Sequence, residues 1–334
     1  MLRNIVKSGL AFGLHAAQPR RHRSPLVIGY HRTVAEFPSD PARTIPAMCV
    51  STAMLEKQLD WIGREYRFVA LDEMHESLLS SGPSSKPMAA VTFDDGYRDF
   101  YEHAFPLLKR KGIPAAVFMV TDLIGTDRLQ VHDLLYLLLA RTPYWRSRTP
   151  HGELEKLLSE LPQRDVFAKI SELQARAKIP GEIAEEHRAM TWDEVARVHA
   201  AGFTIGSHTR THAILVNETP ATVSAELGAS RAALESRLGA PVRHFAYPCG
   251  QFNAAAVQAV ADAGYQYAYT ICKHRDMRWL HLTIPRKLLW EKSCVNALGS
   301  FSESILSCLV NGSLDFAAPC HLKHREAAPV AAAA

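Results

Sequence analysis

Two adjacent carboxylates, Asp94 and Asp95, directly follow the apolar run Ala89–Phe93, which is typical of a buried strand. Side chains alternate across a strand, so the two carboxylates cannot point the same way along it. Gly96 permits a sharp turn, which allows both to face one cleft from different angles. One carboxylate could then hold a metal ion while the other transfers protons. The alternative is an ordinary Asp-Asp-Gly turn.

Two histidines follow a second predicted strand. The segment Phe203–Gly206 is expected to be short and buried, and His208 and His212 come directly after it. Their i,i+4 spacing predicts that both lie on one side of a helical turn, where they can share a metal ion. Two histidines and one carboxylate form a three-ligand set that leaves positions for water and substrate, as catalytic metal sites do.

Three stretches together resemble the first three motifs of the polysaccharide deacetylases, the NodB-homology domain of carbohydrate esterase family four. They are Thr92–Gly96, Ser207–His212 and Phe245–Gly250. The resemblance implies an α/β fold, a distorted (β/α)7-type barrel of parallel strands. It implies a metal-dependent hydrolase that removes N-acetyl groups from an acetylated amino-sugar polysaccharide or glycan. The alternatives are an O-deacetylase or other metal hydrolase on the same barrel, and a non-catalytic carbohydrate-binding relative.

The resemblance also assigns roles to single residues. It implies that Asp95, His208 and His212 bind a divalent metal ion, for which zinc is the first choice. Nitrogen and oxygen ligands would also suit Co²⁺, Ni²⁺ or Fe²⁺. Asp94 matches the family's general base, which takes a proton from the attacking water.

The third motif departs from the family pattern at two positions. The backbone N–H of Cys249, after Tyr247 and Pro248, would stabilise the oxyanion, but the family usually has an aromatic residue at the cysteine's position. Ala246 stands near the place of an arginine that orients the base. Arg286, on a late predicted strand, either substitutes for that arginine or pairs with a surface carboxylate.

The departing amine needs a proton donor. The sequence Tyr30-His31-Arg32 resembles the permuted branch of the family, in which the acid-bearing strand comes first, so His31 is predicted to be the general acid. Two alternatives remain: His281 near the C-terminus could be the donor, and His31 could only pack or bind substrate.

Predicted strands and helices alternate over residues 25–300, which predicts parallel strands with crossover helices. In such barrels active residues gather at the C-terminal ends of the strands. Leucine-rich helical patterns over about residues 124–190 indicate an inserted helical subdomain or lid. Residues 301–334 are predicted to be a C-terminal extension with a disordered tail.

Composition favours a soluble globular protein, and the resemblance implies that its partner is a carbohydrate substrate. Hydrophobic residues make up 47% of the 334 residues, and a net charge of +4 is too weak to indicate nucleic acid. The six cysteines have no CxxC spacing, which favours reduced, buried thiols.

The basic, amphipathic segment 1–24 has three interpretations: a helix packed on the domain, a weak membrane-surface anchor, or a poor signal peptide. We expect a cytoplasmic protein with possible membrane-surface association, and we rank secretion below it.

Overall fold

A computed structural model describes residues 24–79, 86–142 and 150–313 of the chain. Its strands, numbered in chain order, are β1 Leu26–Tyr30, β2 Arg32–Val34, β3 Cys49–Ser51, β4 Arg67–Phe68, β5 Met88–Phe93, β6 Ala115–Met119, β7 Thr204–Ser207, β8 His244–Ala246, β9 Tyr267–Thr270, β10 Ile284–Pro285 and β11 Lys287–Leu288.

The α-helices within these ranges are α1 Thr52–Glu65, α2 Leu71–Leu79, α3 Phe105–Lys111, α4 Val131–Leu139, α5 Pro150–Glu160, α6 Gln163–Gln174, α7 Gly181–Glu185, α8 Trp192–Ala200, α9 Pro220–Leu238, α10 Ala254–Asp262 and α11 Glu303–Val310.

The main sheet is a ring of parallel strands in the order β10-β9-β8-β7-β6-β5-β1-β11, with β4 paired to the side of β5. Only Arg286 separates β10 from β11, so these two short strands form one strand of the barrel that is interrupted at that residue. This interrupted strand pairs with β9 through β10 and with β1 through β11, and it thereby links the two ends of the sheet. The predicted distorted (β/α)7-type barrel is confirmed.

Local sequence signals account for several helix ends. Ser51 caps α1, and its hydroxyl accepts a hydrogen bond from the Met54 N–H. Gly112 ends α3 in the left-handed conformation, with φ of 65°. A capping box at the start of α8 is formed reciprocally by Thr191 and Glu194.

Two features of the first third of the chain depend on contacts that the local sequence does not reveal. Residues 32–50 contain β2 and β3, which pair as a separate parallel ladder. Asp72 lies in the first turn of α2, and its carboxylate is 3.0 Å from His244 Nε2 on a distant segment.

The segment predicted as a helical insertion contains α4, α5, α6 and α7, all between β6 and α8. These helices share an apolar cluster that includes Leu135, Leu158 and Ile170. Ile45 and Ile214, from loops of the barrel, belong to the same cluster. The helices therefore lie against one rim of the barrel.

Residues 303–310, placed in the predicted C-terminal extension, form α11, and Ile305 and Leu306 lie within the main core. The predictions for the N-terminal segment and the C-terminal tail concern residues 1–23 and 314–334, which lie outside the described residues. Among the helices described, none combines the length and apolar character needed to cross a bilayer.

Candidate active site

The predicted ligand triad comes together at the C-terminal end of the barrel strands. Asp95 follows β5, and both histidines follow β7. Asp95 Oδ1 lies 3.6 Å from His208 Nε2 and 3.4 Å from His212 Nε2. One ligand atom from each residue lies within 4.8 Å of those of the other two, which suits a single small cation.

The i,i+4 spacing of His208 and His212 predicted a helical turn, and this prediction is wrong. Residues 208–212 form a loop in which Thr209 and His212 have positive φ, 68° and 65°. The buried carboxylate of Glu226, on α9, accepts hydrogen bonds from the N–H groups of Arg210 and Thr211, each 2.9 Å long. These contacts with a distant helix hold the loop and override the local helical period.

Backbone strain is concentrated at this site. Within the described residues, the non-glycine residues with positive φ are Asp95, Thr209, His212 and Cys249. Three of them line the cavity described below. Such conformations cost of order 1–3 kcal/mol each and persist where the surroundings hold them, commonly at functional sites.

The chemistry of the triad fits a divalent cation. Both carboxylate oxygens of Asp95 are buried without a hydrogen-bond partner, an arrangement that is costly unless a cation is bound. Burial, Asp94 and Asp133 raise the pKa of Asp95 well above its usual range, and a bound cation would reverse that effect.

Each histidine can present a nitrogen lone pair. His208 Nδ1 lies 2.8 Å from the Ala246 carbonyl oxygen, which can only accept, so Nδ1 carries the proton and Nε2 faces Asp95. Burial lowers the pKa of His208 to about 4 and that of His212 well below its usual range. Both rings are therefore neutral near pH 7, as metal ligation requires.

Asp94 makes a two-pronged contact with Arg286. The guanidinium Nη1 and Nη2 donate to Oδ1 at 2.6 Å and Oδ2 at 2.7 Å. Both side chains are buried, so Arg286 pairs with the buried Asp94 and not with a surface carboxylate. Although burial alone would raise it, Arg286 and His208 lower the pKa of Asp94 to about 2.

The two histidines considered as proton donors lie in different places. His31 follows β1 and lines the cavity, with Nε2 at 4.0 Å from Asp94 Oδ2. Burial lowers its pKa, and Asp94 partly offsets that effect. His281 is exposed on a 3-10 turn at Leu280–Leu282 and does not line the cavity.

The third motif forms part of the wall. Cys249 lines the cavity with φ of 53°, on a short 3-10 turn that also contains the buried Pro248. Tyr247 is fully buried, and its hydroxyl donates to the Leu282 carbonyl at 3.0 Å. That hydroxyl is therefore engaged within the protein, and the thiol of Cys249 leaves more room than an aromatic ring would.

The cavity that contains these groups has a volume of about 550 Å³. Helix α5 contributes Leu154, Glu155, Leu158 and Ser159 to its wall, together with residues of the barrel. The predicted insertion thus borders the site. Volumes of this order are typical of small-molecule pockets.

Sequence reasoning missed a polar residue from the insertion that reaches the triad. His132, on α4, lines the cavity, and its Nε2 lies 3.6 Å from Asp95 Oδ2. The neighbouring Asp133 is fully buried and accepts a hydrogen bond from Tyr97. The signal was present in the sequence, because a His-Asp pair interrupts an otherwise leucine-rich helix.

The sequence profile of the polysaccharide deacetylases matches residues 81–268, more than half of the chain, and the protein belongs to this family. The poly-beta-1,6-N-acetyl-D-glucosamine N-deacetylase of Escherichia coli (strain K12) is 30% identical over 114 residues, which cover 34% of this chain and 16% of the relative. The enzyme with the same description from Staphylococcus aureus (strain NCTC 8325 / PS 47) is 26% identical over 149 residues, covering 41% and 51%.

The chain therefore spans about half or less of the length of these curated relatives. Among solved structures, the deacetylase PplD of Streptococcus pyogenes aligns with a TM-score of 0.57 at 18% identity, covering 86% of this chain and 98% of that one. At this identity the alignment shows a shared fold.

Proposed function

We propose that the protein is a metal-dependent hydrolase that removes N-acetyl groups from an amino-sugar glycan. The observation that carries this proposal is the buried carboxylate of Asp95, which has no hydrogen-bond partner and faces His208 and His212. The neighbouring carboxylate of Asp94 is instead bound by Arg286. A divalent ion bound there would supply Lewis acidity to an amide carbonyl and would acidify water.

Asp94 is assigned the general base. Its two oxygens are fixed by Arg286, so the carboxylate keeps one orientation toward the cavity. A pKa of about 2 makes it a weak acceptor that holds a proton only briefly and must pass it on. His31 also lines the cavity, and its Nε2 lies 4.0 Å from Asp94 Oδ2.

His31 is assigned the general acid, which delivers a proton to the departing amine. Its Nε2 lies 4.0 Å from Asp94 Oδ2, a distance that a single intermediate in proton transfer can bridge, and it faces the same cavity. This placement supports the permuted arrangement, in which the first strand of the chain brings the acid. The backbone N–H of Cys249, which also lines the cavity, is assigned the oxyanion donor.

The substrate class is proposed from the relatives' descriptions together with the cavity. Both curated relatives named above are described as acting on poly-beta-1,6-N-acetyl-D-glucosamine. We assign this chain an N-acetylated glucosamine glycan, with its acetyl group directed to the triad.

The test is acetate release from matched oligosaccharides. Purified protein loaded with Zn²⁺ is incubated with a β-1,6-linked N-acetylglucosamine oligomer and, separately, with an O-acetylated glucan. We expect acetate from the first substrate only, and no release after treatment with a chelator. Release from the O-acetyl ester alone would favour an O-deacetylase, and binding without release would favour a non-catalytic relative.

A further inference from the structure

Two glutamines of the insertion donate hydrogen bonds to the main chain beside the proposed metal ligands. Gln130, immediately before α4, donates from its side-chain amide to the Asp95 carbonyl oxygen at 2.8 Å. Gln163, the first residue of α6, donates to the Thr211 carbonyl oxygen at 2.5 Å and to the Thr211 hydroxyl oxygen at 3.0 Å. Neither glutamine is among the described residues that line the cavity, so both contact the site through its backbone.

The two carbonyl groups adjoin the ligands whose backbone is strained. Asp95 has φ of 71° and supplies the first carbonyl itself. His212 has φ of 65°, and the Thr211 carbonyl belongs to the peptide group directly before it. A residue other than glycine adopts this left-handed region at a cost in free energy, so the conformation persists only where neighbouring groups hold it. The third ligand, His208, lies outside this group, and its ring is held by the Ala246 carbonyl.

The partners of the two amides fix the direction of each hydrogen bond. A main-chain carbonyl can only accept, so an N–H of each glutamine is the donor. The Thr211 hydroxyl donates its hydrogen to Glu226 Oε1 at 2.9 Å, which leaves its oxygen as an acceptor for the second N–H of Gln163. Glu226 also accepts from the Thr211 N–H. The peptide groups on both sides of Thr211 are therefore bound, one by Glu226 and the other by Gln163.

Both glutamines belong to one packed unit. Helices α4 and α6 contribute Leu135 and Ile170 to the same apolar cluster. A third contact comes from the end of the insertion, where the Met190 N–H donates to the Gly96 carbonyl at 3.0 Å. The position of the insertion on the barrel rim therefore affects both ligand-bearing segments.

We propose that Gln130 and Gln163 are positioning residues for the metal centre. They connect the turn at Asp95 and the loop that carries His212 to the same insertion, and they thereby fix the separation of these two ligands, whose facing atoms lie 3.4 Å apart. Ligands that are in place before the ion arrives bind it more tightly, because less conformational freedom is lost on binding. This inference rests on the proposed metal-dependent function.

The test measures the dissociation constant for Co²⁺ by chelator competition, together with the visible absorption of the bound ion. Gln130→Met and Gln163→Met keep the length of the side chain and remove the donors. The matched control is Gln174→Met, the same substitution at an exposed position of α6. Circular dichroism shows whether each variant folds. Where a methionine variant does not fold, Gln130→Asn or Gln163→Asn replaces it, because the asparagine amide is a methylene too short to reach the carbonyl.

We expect the Co²⁺ dissociation constant to rise about 3–10-fold in Gln130→Met and in Gln163→Met, the equivalent in affinity of one neutral hydrogen bond. The absorption of bound Co²⁺ should also change, because the ligands no longer keep a single arrangement. Gln174→Met should match wild type in both measurements.

The inference is overturned if either folded variant has a dissociation constant less than about threefold above that of Gln174→Met. It is also overturned if Gln174→Met loses as much affinity as the other two variants, since the effect would then belong to the insertion as a whole. If wild type itself binds no Co²⁺, the proposed metal centre fails and this inference fails with it. Binding by wild type with unchanged affinity in the variants refutes the inference alone.

Discussion

Replacing Arg286 by methionine should show how strongly the buried Asp94 carboxylate depends on its partner. Methionine has similar length and no charge, so Arg286→Met leaves the buried Asp94 carboxylate without its two donors. The expected consequences are a less stable protein, a raised pKa of Asp94 and a loss of turnover. Each follows from the same two hydrogen bonds.

The magnitude can be worked from the shift in the pKa of Asp94. That pKa falls from the usual 3.8 to about 2, against an opposing effect of burial. Each pH unit of lowering corresponds to about 1.4 kcal/mol, so the ionised, paired form contributes about 2–3 kcal/mol. Because the folded pKa is depressed, this stability is present above about pH 4 and is lost as the pH falls through about 2. Removing one partner of a buried pair costs more, about 3–5 kcal/mol.

The assay is urea unfolding of the metal-free protein at about pH 7 and at about pH 4.5. In Arg286→Met the pKa of Asp94 rises, so the variant's deficit in the free energy of unfolding should be larger at about pH 7 than at about pH 4.5. Adding Asp94→Asn to Arg286→Met should recover part of that deficit, because the unpaired charge is gone. The matched control is Arg64→Met, which breaks an exposed ion pair with Glu303 and should cost less than about 1 kcal/mol.

The account of this ion pair would be refuted by a deficit below about 1 kcal/mol at about pH 7. It would also be refuted by a deficit that does not change with pH, or by a double variant that is no more stable than Arg286→Met.

Two further predictions concern the histidines of the site. His208→Ala should lower the bound Zn²⁺ found by elemental analysis well below one ion per chain without unfolding the protein, because one of three ligands is lost; full occupancy would remove His208 from the ligand set. His31→Ala should lose most of kcat and the alkaline limb of the pH–rate profile, since the protonated ring is the assumed donor, while the exposed His281→Ala changes little. Because burial lowers the pKa of His31, that limb should lie below the value for a free histidine, and the reverse behaviour of the two variants would place the acid at His281.

The positions of the triad and of Asp94 could be predicted from sequence because each residue lies beside a strong local signal. Asp94 and Asp95 directly follow a buried apolar strand, and His208 directly follows another. In a parallel barrel, residues that follow the strands lie together at the C-terminal rim, regardless of how the connecting segments fold. The topology thus follows from the alternation of strands and helices.

The remaining features depend on contacts between distant segments. The conformation of the histidine loop is set by Glu226, which lies 16 residues beyond Arg210. Arg286 contacts Asp94 from the position between β10 and β11, where the last strand of the barrel is interrupted. These two strands have two residues each, which is too short to give a periodic signal in the sequence. His132 lies on α4 of the predicted insertion, and the leucine pattern of that segment does not show how it packs against the rim of the barrel.

The most direct test of the central claim compares Asp94→Asn with Asp95→Asn, measuring bound metal and released acetate on the same samples. The account predicts that Asp94→Asn keeps its metal but loses about 10²–10⁴-fold in turnover, as expected for a general base. Asp95→Asn should lose both metal and turnover, because the orphaned carboxylate is the anionic ligand. If Asp94→Asn instead lost the metal while Asp95→Asn kept it, the two roles would be exchanged and the account contradicted.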